Sequence, residues 1–409
     1  MKNKFILLLT IFAFVFCSRA AAQDDSEGPE KASKAINAFA MDLYNQVKAN
    51  AGNIVFSPYG ISDCMAFAYA GAKTTTAEEI AGTMCYPDRE IQGSFKSLDE
   101  AVKSLGSIGG IELNIADSLW AEQSFEFYPG YLDSIKTNYY DILEKVDFKN
   151  DWENVRLRIN GWVGTKTREM IKDMLPEHSL DTKAQLVLLS ALYFKGEWAS
   201  PFKGKSPKNV PFWPTGVTSV DAPMMKGTKQ CYYQATEEAQ VLTLLYHGNH
   251  LSLTIILPKQ KDGLAALENS LDAAKLSFLT RTAGRYVEAV VVYLPKFKIT
   301  KTWGLAGILQ NMGMKEAFSP CGADFTGMAN TARTCDNNLS ITGIFHKVSL
   351  EVDEGRRAAA GRKKTLDEVE TDSEGSSTVF CVDHPFIFVI KDNIANVILF
   401  MGKVVNPKE

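Results

Sequence analysis

Histidine and cysteine are scarce in this chain of 409 residues, at five and seven. Seven cysteines are too few for a small disulfide scaffold, which would carry several times that density. Neither sign of charge dominates, and the net charge is −4. Such a balance leaves no basic footprint for nucleic acid. Glycine (29) and proline (15) are too sparse for a collagen or a low-complexity chain. Beyond residue 16 no apolar run approaches the roughly 20 residues that cross a bilayer, so no membrane partner is expected. A Gly-rich phosphate loop, an HExxH motif and a Gly-x-Ser-x-Gly elbow are all missing. No Ser, His and Asp set stands out, so the chain reads as a non-enzyme with no cofactor and no metal. His247 and His250 have a metal-pair spacing but enclose Gly248-Asn249, which reads as an exposed hairpin turn. What is present is core material: hydrophobic residues make up 45% and aromatics 11%, enough for a large folded body.

The first residues form a leader. Lys2 and Lys4 precede an apolar run from Phe5 to Phe16, and Ala20-Ala21-Ala22 supplies small residues for cleavage. That three-part pattern is a secretory signal peptide, 1–22, because the run is too short to be an anchor. The mature chain is expected to begin at Gln23, to be secreted and extracellular, with an acidic tail over 23–31 and one domain over 32–409. Secretion permits disulfides. Cys321 and Cys335 flank a polar, Gly-containing loop and are the candidate pair, whereas Cys64 sits in an apolar helix pattern and reads as a buried thiol. Asn338-Leu339-Ser340 is an N-glycosylation sequon, so Asn338 is a candidate acceptor.

Periodicity predicts helices over Ala32 to Ala49, from Ser57-Pro58 through Ala72, from Thr76, over Trp152 to Met174 and over Trp303 to Met312. Ser57 suits an N-cap and Pro58 the first helical turn. Ile61 to Ala72 is apolar on nearly every face, which predicts a buried helix. Strands are predicted over Asn53 to Phe56, Ile111 to Trp120, Val241 to Tyr246, Leu251 to Leu257, Val287 to Leu294, Val348 to Val352, Phe386 to Ile390 and Val397 to Val405. The unbroken apolar run Leu186 to Tyr193 predicts a central strand buried on both faces. Helices dominate early and strands late, which is an α+β pattern.

One segment is out of character. Glu354 to Thr378 is small or polar at almost every position, with a cationic first half and an acidic second half. A structureless stretch of that length inside a compact domain is uncommon, and such stretches are where proteases cut.

Several segments together resemble one family, the serpins. Phe380 to Ile390, containing His384-Pro385-Phe386, is similar to the family's C-terminal signature. Asn53 to Pro58, Leu192 to Trp198 with Pro201-Phe202, Leu294 to Ile299, Met312-Gly313-Met314, Asp324 to Met328, His346-Lys347 and Phe400 to Pro407 fit in the family's order. The resemblance runs from about Ala32 to Pro407. It implies an α+β serpin fold of three β-sheets, eight or nine helices and an exposed reactive-centre loop, about 354–378. It also implies inhibition of a serine-type, or by extension a cysteine-type, endopeptidase as the partner of a monomeric chain. The protease would cut the loop and be trapped covalently as the freed loop inserts into the large sheet.

The same resemblance assigns a hinge to Glu354, Gly355, Arg356, Arg357, Ala358, Ala359 and Ala360, after Asp353. The family prefers a small residue where Arg356 stands. Arg356, Arg362 and Lys364 share one face of an inserted strand, and burying an unpaired charge costs several kcal/mol. A non-inhibitory binding, carrier or storage role is the alternative those cations favour. Counting from the hinge puts the reactive bond at Val369-Glu370; counting back from His384 puts it at Glu374-Gly375. The implied sheet-opening region is Ser57, Gly60, Ser190, Trp198 and His346, with Gly60 where the family usually has Ser and Ser190 where it usually has Asn.

Overall fold

The computed structural model describes residues 28–139, 143–202, 210–282, 287–331, 333–335, 337–355 and 378–409. The leader 1–22, the start of the tail and the loop from Arg356 onward, with both candidate reactive bonds, lie outside the described residues.

Nine α-helices are described: α1 (Glu30–Val47), α2 (Pro58–Gly71), α3 (Thr74–Thr83), α4 (Ile91–Leu105), α5 (Pro129–Tyr139), α6 (Phe148–Lys166), α7 (Leu264–Ser270), α8 (Ala273–Leu279) and α9 (Ala306–Asn311). The strands are β1 (Ile54–Phe56), β2 (Ile111–Glu122), β3 (Glu126–Phe127), β4 (Leu143–Val146), β5 (Leu186–Gly196), β6 (Val210–Phe212), β7 (Val220–Ala222), β8 (Met224–Ala235), β9 (Ala239–Leu245), β10 (Leu251–Pro258), β11 (Val287–Pro295), β12 (Phe297–Gly304), β13 (Ala329–Asn330), β14 (Ile341–Val352), β15 (Thr378–Cys381), β16 (Phe386–Asp392) and β17 (Val397–Val404).

They form an eight-stranded sheet, β1-β17-β16-β10-β9-β8-β11-β15, and a five-stranded sheet, β12-β14-β5-β2-β4. β3 and β13 pair separately, as do β6 and β7. β8 pairs with β11 between Met224 and Cys231 and with β9 over its last four residues, so two sheets are continuous along this one strand.

β5 is buried from Leu186 to Phe194, as its apolar run requires, because both faces are covered. Leu186, Leu188, Leu192 and Phe194 join the main core, and Val187, Leu189, Ala191 and Tyr193 join a second core that includes Phe148, Val155 and Ile159 of α6. α2 packs under β5, β2 and β17 and is buried almost throughout. Its start follows the predicted chemistry: the Ser57 hydroxyl accepts the Gly60 N–H at 3.1 Å, and Pro58 occupies the first turn.

Several boundaries differ from expectation. α1 starts at Glu30, inside the predicted tail, and Lys31 pairs with Asp88 at 3.1 Å. α6 ends at Lys166 rather than Met174. Trp303 belongs to β12, where the pairing with His346 of β14 outweighs the helical spacing, and only Ala306–Asn311 is helical. α4, α5 and β8 lie in segments for which no element was predicted.

Candidate functional site

Within the five-stranded sheet β14 and β5 are direct neighbours and run parallel, from Ile341↔Leu186 to Glu351↔Lys195. β12 and β14 are antiparallel, as are β5 and β2. The chain leaving β14 re-enters the described fold at Thr378 of β15, beside β11. It therefore begins at the end of the β14–β5 seam.

That end is held by charge. Glu112, Lys195, Glu351 and Lys298 are successive cross-strand neighbours on β2, β5, β14 and β12. Lys195 Nζ lies 2.5 Å from Glu351 and 2.8 Å from Asp353, and Lys298 is 3.9 Å from Glu351. Burial pushes the Asp353 carboxyl up, but the Lys195 ammonium and the Gly355 N–H outweigh it and hold it below the usual carboxylate range. The Trp198 indole N–H donates to the Asp353 carbonyl at 2.7 Å, and its ring stacks on Tyr246 at 4.6 Å. Glu354 pairs with Lys296. Gly355 has φ +64°, and a Cβ there would lie 3.0 Å from Glu197 Cα and Trp198 N, so glycine is required. Lys195, Lys296, Asp353, Glu354 and Gly355 line a cavity of about 610 Å³, together with Glu112 and Glu197.

Midway along the seam lies the predicted sheet-opening region. Four of its five residues converge there. His346 of β14 accepts the Ser57 N–H through Nε2 at 2.9 Å. That bond places the proton on Nδ1, which faces the Ser190 carbonyl and hydroxyl, both at 3.1 Å. Burial drives the His346 pKa down to about 3, so the ring is neutral. Gly60 lies against the same spot: a Cβ on it would fall 2.5 Å from Ser190 Oγ and from Leu192 Cδ1. The missing side chain is thus filled by neighbours. Trp198 belongs instead to the charged end of the seam.

The remaining sequence-derived residues are dispersed. Cys321 and Cys335 form a disulfide. Asn338 is fully buried and its side-chain amide donates to the Ala323 carbonyl at 2.8 Å. That corrects its candidacy as a glycan acceptor, since the nitrogen a glycan would occupy is inside the fold. Cys64 is buried, with its thiol 3.5 Å from the Leu189 carbonyl. Burial pushes the Cys231 thiol up to about 12 and Cys381 to about 11. No group of three or more His, Cys, Asp or Glu among the described residues is placed to hold a metal ion. Sequence reasoning missed the Glu112–Lys195–Glu351–Lys298 row, because each member looks like an ordinary strand charge until the register is known.

The described residues form an α+β fold whose five-stranded sheet has β5 at its centre, paired in parallel with β14. The family model for serpins, described as serine protease inhibitors, matches residues 34–407. Human Serpin B4 is 33% identical over 394 residues, covering 92% of this chain and 99% of its own. Arabidopsis AtSerpin1 in its native stressed conformation superposes with a TM-score of 0.82 at 27% identity, over 95% of this chain and 100% of that one. Human thyroxine-binding globulin with its ligand bound gives 0.79 at 28% identity, over 93% and 100%. The chain belongs to the serpin family.

Proposed function

We propose that this serpin is a secreted inhibitor of serine-type endopeptidases that traps its target by loop cleavage and insertion between β14 and β5. The observation that carries the reading is the parallel β14–β5 pair with the loop issuing from its end. A segment turning back from β14 runs antiparallel to β14 and to β5 alike. Insertion exchanges one parallel ladder for two antiparallel ones, and antiparallel pairing is the slightly more stable per residue. Beside the backbone ladder, the His346–Ser190 bond and the Lys195–Glu351 pair cross this seam.

Arg356, Arg362 and Lys364 favour a second reading, a non-inhibitory binding or carrier serpin, because three cations oppose burial of one strand face. Thyroxine-binding globulin, with its bound ligand, is the structural precedent for that reading.

Incubation with trypsin-like, elastase-like and acid-specific serine proteases separates the two. Inhibition predicts a complex that survives a denaturing gel, with the cut at Val369-Glu370 or Glu374-Gly375. It also predicts a higher melting temperature after cleavage, and a larger rise for Arg356→Thr. Clean cleavage without any stable complex, and without a change in melting temperature in either variant, would leave the binding role.

A further inference from the structure

Tyr246, the residue after β9, carries a hydroxyl that the fold encloses without pairing. The residue is 1% exposed, and its Oη has no hydrogen-bond partner among the described residues. Four other buried tyrosines are paired: Tyr44 with Glu268, Tyr59 with Asp99, Tyr86 with the Ser62 carbonyl and Tyr131 with the Phe67 carbonyl. An enclosed hydroxyl without a partner has lost its water and gained nothing in exchange, which destabilises the fold that holds it. Burial, and then the negative charge of Asp353, raise the Tyr246 pKa, so the group is a neutral phenol that can donate and accept.

The ring is fixed against the last turn of chain in β5. It stacks on Trp198 at 4.6 Å and meets Phe194 edge-on at 5.1 Å. It also covers Gly196, where a Cβ would lie 2.6 Å from Tyr246 Cδ1. Backbone bonds clamp the same place: the Ala199 N–H donates to the Leu245 carbonyl at 2.9 Å and the His247 N–H to the Glu197 carbonyl at 2.7 Å. Trp198 then reaches across to the end of β14, through its indole bond to the Asp353 carbonyl. Gly355 packs on Trp198 as well, since a Cβ there would lie 3.0 Å from the Trp198 N. Tyr246 therefore lies beneath the mouth of the β14–β5 seam, where the chain leaves the sheet. The nearest acid gives it no bond. One Asp353 carboxyl oxygen faces Lys195 at 2.8 Å, the other accepts the Gly355 N–H at 2.8 Å, and the carbonyl accepts Trp198.

We propose that Tyr246 is a positioning residue for loop insertion: its hydroxyl is unpaired in the uncleaved fold and takes its hydrogen bond from the first backbone groups of the strand that enters between β14 and β5. The proposal rests on the insertion reading above. Phe194 and Lys195 of β5 pair with Leu350 and Glu351 of β14, so a strand entering this end of the seam parts those residues and lies over the Tyr246 ring. Its N–H and C=O groups are the polar partners that the uncleaved fold does not supply. The stacking on Trp198 and the contact with Phe194 belong to the ring and do not depend on the hydroxyl. The oxygen alone distinguishes the two states: it destabilises the uncleaved form and stabilises the inserted one. A single atom at the mouth of the seam thus biases the chain toward insertion.

The test is Tyr246→Phe, which removes the oxygen and keeps the ring. Melting temperatures are measured for wild type and variant, each before and after cleavage of the loop by a glutamate-specific protease. The uncleaved variant should melt at or above the wild-type temperature. The cleaved variant should melt about 2–4 °C below cleaved wild type, so that the rise on cleavage shrinks. A hydroxyl with a purely structural role would instead lower the melting temperature of the uncleaved variant, and that result overturns the proposal. Equal melting temperatures for the two cleaved proteins overturn it too, because the entering strand then makes no bond to Tyr246. If wild type gains no thermal stability on cleavage, the insertion reading fails and takes the proposal with it. The uncleaved pair of curves reports separately whether the hydroxyl is paired before any strand enters, which keeps the two failures distinct.

Discussion

The Nε2 of His346 accepts the backbone N–H of Ser57 at 2.9 Å, so the central strand β14 is tied to the first turn of the buried helix α2. A neutral ring is essential to this contact, since a protonated Nε2 would face an N–H donor. The histidine pKa is about 3 in the fold against 6.5 outside it, so the unfolded chain takes up the proton first as pH falls. The contribution of His346 is complete above pH 6.5 and is lost progressively toward pH 3. At its steepest that slope is about 1.4 kcal/mol per pH unit. Melting temperature should fall on acidification over this window, and less steeply in His346→Gln. Equal slopes for the two proteins would contradict the assignment.

Gly60 is predicted to resist even one added carbon. Gly60→Ala places its methyl 2.5 Å from Ser190 Oγ and Leu192 Cδ1. Overpacking of this kind costs about 1–3 kcal/mol. Ser190→Ala alone removes a hydroxyl from the His346 contact, yet in the double variant it also removes one of the two clashing atoms. Urea denaturation of the two single variants and the double variant should therefore give a double-variant loss smaller than the sum. Strict additivity would mean that Gly60 and Ser190 do not compete for the same space.

Lys195→Met leaves Glu351 and Asp353 side by side at the end of the seam with their shared ammonium gone. A loss of about 1 kcal/mol is expected, at the upper end for a part-exposed pair. The Asp353 carboxyl lies below its usual range largely through Lys195 acting against burial. Its stabilisation is present above the unfolded value of 3.8 and disappears as pH falls through the native value. That acid-side loss should shrink in Lys195→Met. An unchanged acid limb in the melting profile would assign the shift to another group.

Asn338 should carry no glycan when the protein is expressed through a secretory pathway. Its amide is buried and bonded to the Ala323 carbonyl. Intact mass before and after glycosidase treatment should agree, and Asn338→Asp should lower the melting temperature because a carboxylate cannot donate to that carbonyl. A mass shift on deglycosylation that Asn338→Asp abolishes would refute the buried assignment.

Much of the architecture could be read along the chain because it depends on local chemistry. Ser57-Pro58 specifies a helix start by supplying an acceptor for the Gly60 N–H and a residue that lacks its own. The run Leu186 to Phe194 requires a strand covered on both sides, since every residue in it is apolar or small. Motif order then carried the resemblance that brought Ser57, Ser190 and His346 together. Local pattern failed where pairing decided: Trp303 sits at helical spacing but belongs to β12 through its partner His346. The Asn338 sequon is equally visible in sequence, and only the packing against Ala323 removes it from the surface.

Tertiary structure alone decided the charge row. Glu112, Lys195, Glu351 and Lys298 come from four strands, and only the register of their ladders makes them neighbours. A side chain's identity is written in the sequence; its electrostatic environment is set by which distant segments exclude water around it.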